Sequence, residues 1–440
     1  MKPVVAIVGR PNVGKSSLFN FLAGERIAIV KDEPGITRDR IYADVDWNGR
    51  MFTIIDTGGI EPESKDMMLS KMREQAQIAI DTADVIIFMT DVQTGLVDSD
   101  GRVADILRRS HKKVLLAVNK VDAIKKYETD IYEFYNLGLG DPIPISADQK
   151  TGVGDLLDGV VKLLPPKSEA ETDDDRPRIA VVGRPNVGKS SLINKYIGKD
   201  RLIVSDIAGT TRDAVDTVVK RNGKEYVFVD TAGLRRKNKI KEELEAYMIA
   251  RTVSAVERSD ITVLMIDGTE GVVEQDAKIA GIAHDRGKGV IIAVNKWDAV
   301  EKDDKTIYKM SRDIMQTLSF MPYAEILFIS AKTGQRTDKL FESIDTVIAN
   351  QNLRIQTGVL NEIISEAVTM QQPPSDKGRR LRVLYATQVS VKPPTIVIFV
   401  NNAKLMHYSY TRYLENRIRD AFGFQGTPIN FVIRERKSEE

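Results

Sequence analysis

At 440 residues the chain is too long for one ordinary core and suits two or three domains; its 42% hydrophobic and 29% charged content is that of a globular protein in water. With 64 Lys+Arg against 63 Asp+Glu the formal net charge is +1, so the molecule as a whole is no magnet for nucleic acid and charge must be read locally. The absence of cysteine excludes disulfides, cysteine-ligated zinc and thiol catalysis, and the scattered His111, His284 and His407 speak against a histidine metal site; with no apolar run near the roughly 20 residues that cross a bilayer and no signal-peptide pattern at the N-terminus, a reducing, cytoplasmic compartment is expected.

In chain order, the apolar run Val4 to Val8 predicts a buried strand, and Gly9-Arg-Pro-Asn-Val-Gly-Lys-Ser16 follows it directly. This is a phosphate-binding loop of the form G-x-x-x-x-G-K-[ST], which opens a helix. Gly9 and Gly14 let the backbone curl so that its N–H groups face phosphate oxygens. The helix N-terminus adds partial positive charge. Lys15 brings a full charge to the β- and γ-phosphates, and the Ser16 hydroxyl suits Mg²⁺. Arg10, Pro11, Asn12 and Val13 complete the cradle, with Ser17 beside it. Downstream, Thr37 in Gly35-Ile-Thr-Arg-Asp39 can complete the Mg²⁺ shell and sense the γ-phosphate, or belong to an ordinary loop. The run Phe52 to Ile55 predicts a strand ending in Asp56-Thr-Gly-Gly59, where Asp56 reaches Mg²⁺ through water and the Gly59 N–H meets the γ-phosphate. A helix over Ser70 to Thr82 and strands over Val85 to Met89 and Val114 to Val118 come next, the last leading into Asn119-Lys120-Val-Asp122. A carboxylate there accepts hydrogen bonds from the guanine N1–H and 2-amino group. Adenine offers neither donor, so the unpaired carboxylate penalises it and GTP is favoured over ATP. Ser146-Ala147 fits a backbone contact to the guanine O6.

The segment from Pro165 to Pro177 is polar and acidic and reads as a mobile linker. Beyond it the pattern returns. The strand Ile179 to Val182 leads into Gly183 to Ser190, the first loop letter for letter, so Gly183, Asn186, Val187, Gly188, Lys189, Ser190 and the following Ser191 repeat the cradle. Thr211 in Gly209-Thr-Thr-Arg-Asp213 repeats Thr37; Thr210 competes for that role, but the first half has Ile36 at its place. The strand Tyr226 to Val229 ends in Asp230-Thr-Ala-Gly233, which gives Asp230 and Gly233 the roles of Asp56 and Gly59. A helix over Glu242 to Glu257 and strands over Ile261 to Ile266, Val290 to Val294 and Ile326 to Ile329 complete the half. Asn295, Lys296 and Asp298 of Asn295-Lys-Trp-Asp298, with Ser330-Ala331, repeat the base site. Strands alternating with helices predict an α/β fold: two tandem parallel sheets, each covered by helices on both faces, with ligands at the strand C-termini. The groups expected to act on the phosphates are Lys15, Lys189, Thr37, Thr211, Gly59 and Gly233, with Mg²⁺ held by Ser16, Thr37 and Asp56 and by Ser190, Thr211 and Asp230.

After Asn350 a helix over about Ile355 to Met370 precedes a Pro/Gly-rich loop, Gln372 to Arg380. Strands over Leu381 to Val389 and Thr395 to Asn401, a helix over about His407 to Phe422 and a strand over Ile429 to Ile433 follow. This is a small α-β-β-α-β domain without a nucleotide motif. From Ser375 to Glu440 it holds 12 Lys/Arg against 6 Asp/Glu, a surface for phosphates or a solvated basic face. Gly423-Phe-Gln-Gly426 satisfies the G-x-x-G pattern of an RNA clamp, but it lies between a helix and a strand rather than two helices and reads as a turn. The two D-x-x-G motifs are followed by opposite charge: Glu61-Pro-Glu-Ser-Lys in the first half, Arg235-Arg-Lys-Asn-Lys-Ile-Lys241 in the second.

This order of motifs resembles the Ras-like GTPase superfamily. Two such halves with Gly-Arg-Pro-Asn-Val-Gly-Lys-Ser loops and a small C-terminal domain resemble, over nearly the whole chain, the bacterial Der/EngA family of tandem GTPases. The chain is expected to divide into a G domain at 1–165, a linker at 166–176, a second G domain at 177–350 and a KH-like domain at 351–437. The resemblance implies Mg²⁺-dependent hydrolysis of GTP to GDP and phosphate, and a role in assembling the large ribosomal subunit. Its expected partners are the 50S subunit and 23S rRNA, with no membrane or DNA partner and a monomeric state. A GTPase switch acting on a protein partner in division or a membrane process is the rival. Related GTPases bind K⁺ through the asparagine of this loop, so Asn12 and Asn186 are candidate K⁺ ligands; the rival reading is a Pro-Asn turn. The chain departs from Ras-type sites in carrying Ile60 and Leu234 where a glutamine often orients the attacking water.

Overall fold

The computed structural model describes residues 2–25, 42–57, 65–166, 176–199, 216–231, 245–376 and 379–436. Gly35 to Asp39 with Thr37, Gly59 to Glu61, most of the linker, Gly209 to Asp213 with Thr211, and Gly233 to Lys241 lie outside the described residues.

The first half forms β1 (Val4–Val8), α1 (Lys15–Glu25), β2 (Tyr42–Trp47), β3 (Arg50–Asp56), α2 (Lys65–Thr82), β4 (Val85–Asp91), α3 (Asp98–Arg109), β5 (Lys113–Asn119), α4 (Ile124–Tyr132), β6 (Ile143–Pro144) and α5 (Val153–Leu163). Its sheet runs β2-β3-β1-β4-β5-β6. The second half repeats this with β7 (Arg178–Val182), α6 (Lys189–Lys199), β8 (Thr217–Arg221), β9 (Lys224–Phe228), α7 (Glu245–Glu257), β10 (Ile261–Asp267), α8 (Glu274–Asp285), β11 (Gly289–Asn295), α9 (Thr306–Thr317), β12 (Glu325–Phe328) and α10 (Lys339–Gln351). Its sheet runs β8-β9-β7-β10-β11-β12, the same order.

The central strands are continuous apolar runs because helices bury both their faces. Val5 and Ile7 pack into a cluster with Leu18, Leu22, Leu157 and Val160; Val4, Ala6 and Val8, which point to the opposite face, are equally buried. Each sheet departs from the expected parallel arrangement at one edge. β2 pairs antiparallel with β3, and β8 with β9. The turns between them are Asn48-Gly49 and Asn222-Gly223, all at positive φ (52°, 74°, 49° and 79°), as a two-residue hairpin requires. The edge strand Tyr-Ala-Asp-Val-Asp-Trp buries only Val45, so it carries no apolar run to announce it.

The C-terminal domain consists of α11 (Thr357–Met370), a short hairpin of β13 (Ser375–Asp376) and β14 (Arg379–Arg380), then β15 (Val383–Ser390), β16 (Thr395–Val400), α12 (Tyr408–Phe422) and β17 (Asn430–Glu435). β15 and β16 are antiparallel and β16 and β17 parallel. Leu360 and Ile364 from α11 and Leu414 and Ile418 from α12 pack on Ala386, Ile396 and Ile398.

The described residues fall into two compact units. The first holds the first sheet with its helices together with α7; the second holds the second sheet and the C-terminal domain. Within the second unit, Gly423 to Gly426 forms the expected turn and serves to join the two parts. Gly426 N–H donates to the Tyr323 carbonyl at 2.7 Å, and the Gly426 carbonyl accepts from Val290 N–H at 2.7 Å. Asn350 Nδ2 donates to the Gln425 carbonyl at 2.8 Å, and Phe424 is fully buried in the C-terminal core.

Gly423 (φ 88°) has open space where a Cβ would stand, whereas a Cβ on Gly426 (φ 74°) would lie 2.2 Å from Val347 Cγ2. Gly423→Ala should therefore destabilise the protein by about 1–3 kcal/mol through backbone strain alone. Gly426→Ala should add roughly 1–3 kcal/mol of overpacking against the second core. Denaturant unfolding of both variants checks this; equal losses would show that the turn is not packed on Val347.

Candidate guanine-nucleotide sites

The loops sit where β1 and β7 end, and close approach of backbone dictates their glycines. A Cβ on Gly9 would lie 2.4 Å from the Met89 carbonyl, and one on Gly183 2.4 Å from that of Met265. Gly14 (φ 95°) and Gly188 (φ 102°) face the asparagines of the base motif, whose Nδ2 atoms would lie 2.2 and 2.1 Å from a Cβ. Val13 and Val187 plug the cores beneath the loops, while Ser17 and Ser191 are exposed at the start of the helices. Asn12 and Asn186 adopt the left-handed region (φ 64° and 62°) with exposed side chains, a conformation asparagine tolerates better than most residues.

Asn119 ties the parts of the first site together. Its Nδ2 donates to the Val13 carbonyl at 2.6 Å, and its Oδ1 accepts from the Ala147 N–H at 2.9 Å. Asn295 does the same with Val187 at 2.7 Å and Ala331 at 2.8 Å. Ser146 Oγ donates to Asp122 Oδ1 at 2.9 Å, and Ser330 Oγ to Asp298 Oδ1 at 2.6 Å. The serine hydroxyls thus orient exposed carboxylates, a role beyond the backbone contact expected from the sequence. The Ser330 hydrogen bond holds the Asp298 carboxyl below its ordinary range. Lys120 (φ 65°) pairs with Asp91 at 2.7 Å and Lys296 (φ 59°) with Asp267, which pins each lysine to the end of the neighbouring strand.

Lys15 Nζ curls back to donate to the carbonyls of Gly9 (2.7 Å) and Arg10 (2.8 Å). Lys189 Nζ reaches Gly183 and Arg184, both at 2.6 Å. Burial pulls the Lys15 ammonium down to about 8, with Asp56 acting in the opposite direction and Arg10 adding to the fall. Ser16 Oγ donates to Asp56 Oδ2 at 3.0 Å. A hydroxyl and a carboxylate side by side at a helix N-terminus are the hard oxygen donors that suit Mg²⁺ with a phosphate. The halves differ here. β3 runs through Asp56, but β9 stops at Phe228, and Asp230 lies in the left-handed region (φ 55°) with its N–H donating to Asp216 Oδ1 at 3.2 Å. Thr37, Gly59, Thr211 and Gly233 lie outside the described residues, so their relation to these groups is not part of the geometry.

Sequence reading missed the partners of the loop arginines. Arg10 Nε stands 3.5 Å from Asp100 Oδ2, and Arg184 Nε 3.0 Å from Asp276 Oδ1. The signal was available: both halves place an acid as the third residue of the helix after the β4-type strand.

The family model described as 50S ribosome-binding GTPase matches residues 4–120 and 178–296. The model for the KH-domain-like C-terminal region of EngA bacterial GTPase enzymes matches residues 354–434. Among curated proteins, GTPase Der of Agathobacter rectalis is 71% identical over 439 residues, and GTPase Der of Lachnoclostridium phytofermentans 69%. GTPase Der of Alkaliphilus metalliredigens is 56% identical. All three alignments span 100% of both chains.

Removing the cross-tie should weaken the first site specifically. Asn119→Ala leaves the Val13 carbonyl and Ala147 N–H without their partner and should reduce guanine-nucleotide affinity about tenfold or more, read by titration with a fluorescent GDP analogue. Because phosphate binds the protonated lysine, affinity at the first site should fall above about pH 8 by up to about tenfold per unit relative to its value at neutral pH. Binding in a Lys189→Ala background from neutral to alkaline pH measures this; a flat profile would contradict the burial argument.

Proposed function

Because the chain belongs to the Der family of GTPases, matching its members along their whole length, we propose that it is a GTP-hydrolysing assembly factor for the large ribosomal subunit. In this reading the nucleotide states of residues 1–165 and 177–350 control how the KH-like domain at 351–437 meets 23S rRNA, with 166–176 as a flexible tether. The observation that carries it is that both halves match a family described by 50S ribosome binding, each with a complete loop-to-base cross-tie.

Each site would bind GTP by the same division of labour. Loop N–H groups and Lys15 or Lys189 take the β- and γ-phosphates, and Asp122 or Asp298, oriented by its serine, takes the guanine N1–H and 2-amino group. Mg²⁺, when bound, neutralises phosphate charge; Ser16, Thr37 and Asp56 would hold it in the first site, and Ser190, Thr211 and Asp230 in the second. Gly59 and Gly233 would donate N–H groups to the γ-phosphate. With Ile60 and Leu234 unable to hydrogen-bond water, K⁺ held near Asn12 and Asn186 would supply charge that other GTPases take from an arginine. Exposed arginines of the C-terminal domain, among them Arg382, Arg434 and Arg436, would meet rRNA phosphates. No described helix is long and apolar enough to cross a membrane; we place the protein as a monomer with ribosomes in the cytoplasm.

Sedimentation with large subunits tests the reading, using wild type, Lys15→Ala and Lys189→Ala with GTP or GDP. The expected result is GTP-dependent binding that weakens with salt. Arg434→Glu with Arg436→Glu should weaken it further while GTP hydrolysis persists. Absence of co-sedimentation at low salt in every nucleotide state would overturn the ribosomal role and favour a protein partner.

A further inference from the structure

The two loops are identical in sequence but are not gripped identically. Arg10 turns toward α3, where its Nε stands 3.5 Å from Asp100 Oδ2 and its Nη2 hydrogen-bonds the neutral Thr94 hydroxyl. Arg184 turns toward α8, where its Nε meets Asp276 Oδ1 at 3.0 Å and its Nη1 meets Glu270 Oε2 at 2.9 Å. Asp100 and Asp276 are both fully buried, 0% exposed. We infer that Asp100 and Asp276 are positioning residues of the two phosphate loops, each holding the loop arginine through a buried ion pair, and that the second carboxylate, Glu270, makes the grip on the second loop the firmer of the two.

A buried carboxylate without a counterion is strongly disfavoured. In each half the loop arginine is the cation that offsets it. The same carboxylate closes the start of its helix: Asp276 Oδ2 accepts the Val273 N–H at 3.1 Å. One side chain therefore joins the phosphate loop to the first turn of the next helix. The groups facing Asp100 are Arg10, the Val97 N–H and Asp91, which itself pairs with Lys120. Those facing Asp276 are Arg184, Glu270 and the Val273 N–H.

The asymmetry has a pH consequence. Burial pushes Asp100 up to about 6, against the pull of Arg10 and the Val97 N–H. Burial also raises Asp276, with the Val273 N–H and Arg184 opposing. Below about pH 6 the neutral Asp100 leaves Arg10, among the described residues, the Thr94 hydroxyl as its acceptor. Arg184 keeps Glu270, 58% exposed at the surface, as a second acceptor when Asp276 is protonated. A carboxyl raised in the folded state binds protons the unfolded chain does not, so acidification through this range favours the fold as far as Asp100 is concerned. Loosening of the loop and thermal stability should thus move in opposite directions, which separates positioning from scaffolding.

The inference rests on reading Gly9–Ser16 and Gly183–Ser190 as guanine-nucleotide sites. It is tested by the dissociation rate of a fluorescent GDP analogue from each site, the other being silenced by Lys189→Ala or Lys15→Ala, from about pH 7.5 to about pH 5.5, which brackets the Asp100 titration. Release from the first site should accelerate with acid more than release from the second. Asp100→Asn should accelerate release at neutral pH about tenfold or more, the scale of removing one partner of a buried ion pair, and flatten the pH dependence without lowering the melting temperature. Thr94→Glu should make the first site resist acid, and Glu270→Thr should make the second acid-sensitive. If release and its pH profile are unchanged in Asp100→Asn and in both exchange variants, the inference is overturned. If the wild type binds the analogue at neither site, the nucleotide reading fails and takes the inference with it, an outcome distinct from binding without an effect of the clamp.

Discussion

An asparagine side chain has one donor group and one acceptor, and in each half of this molecule both are used to join segments far apart in sequence. Asn119 donates to the carbonyl of the phosphate loop and accepts from the backbone behind the base. That single residue fixes the distance between the Gly9–Ser16 loop and the Ser146-Ala147 segment. It also explains Gly14: the asparagine amide approaches so closely that no Cβ fits. Because Asn119 ends β5 and the loop follows β1, the cross-tie depends on β4 holding those strands in register between them. The sheet is therefore the ruler of the site, and its buried, branched side chains set the spacing that the hydrogen bonds then lock.

The halves share this tie to within a tenth of an ångström but diverge around it. β3 carries Asp56 to its last residue, beside Ser16, whereas β9 ends before Asp230, which instead turns through the left-handed region against Asp216. Asp216 is itself gripped by Arg178 and by both oxygens' contacts to Arg258. Asp230 thus sits next to an ion-pair cluster of Asp216, Arg178 and Arg258. Together with the unequal grip on the loop arginines, this makes two sites of like chemistry with different restraint, a better reason for keeping both than simple duplication.

Most of this was legible in the sequence because the functional groups lie at the ends of apolar runs. The strand cores, the loop, Asp56, Asn119 and Asp122 could be placed from Val4 to Val8, Phe52 to Ile55 and Val114 to Val118. The edge strands could not, because Tyr42–Trp47 is half-buried throughout apart from a single buried valine. Only the Asn-Gly turns at 48–49 and 222–223 carried a signal. Asp100 and Asp276 were overlooked for a different reason: acids in a helix's first turn are ordinary capping chemistry, and although both halves carry one at the third position, it is the path of Arg10 and Arg184 that gives its partner. The G-x-x-G at 423–426 shows the reverse case, a motif whose pattern suggests RNA but whose carbonyl and N–H are spent on Val290 and Tyr323.

That turn also bears on how the C-terminal domain is linked to the second site. Val290, whose N–H bonds Gly426, stands near the start of β11, and Asn295, which bonds the Val187 carbonyl, ends the same strand. β11 is paired along its length with β10 and is buried throughout, so it cannot bend to absorb a displacement at one end. A shift of the second phosphate loop that pulled on Asn295 would be carried to Gly426 by one rigid strand, whereas a soft loop at 289–290 would dissipate it. The close contact between Gly426 and Val347, which leaves no room for a methyl group, serves the same stiffness from the helix side.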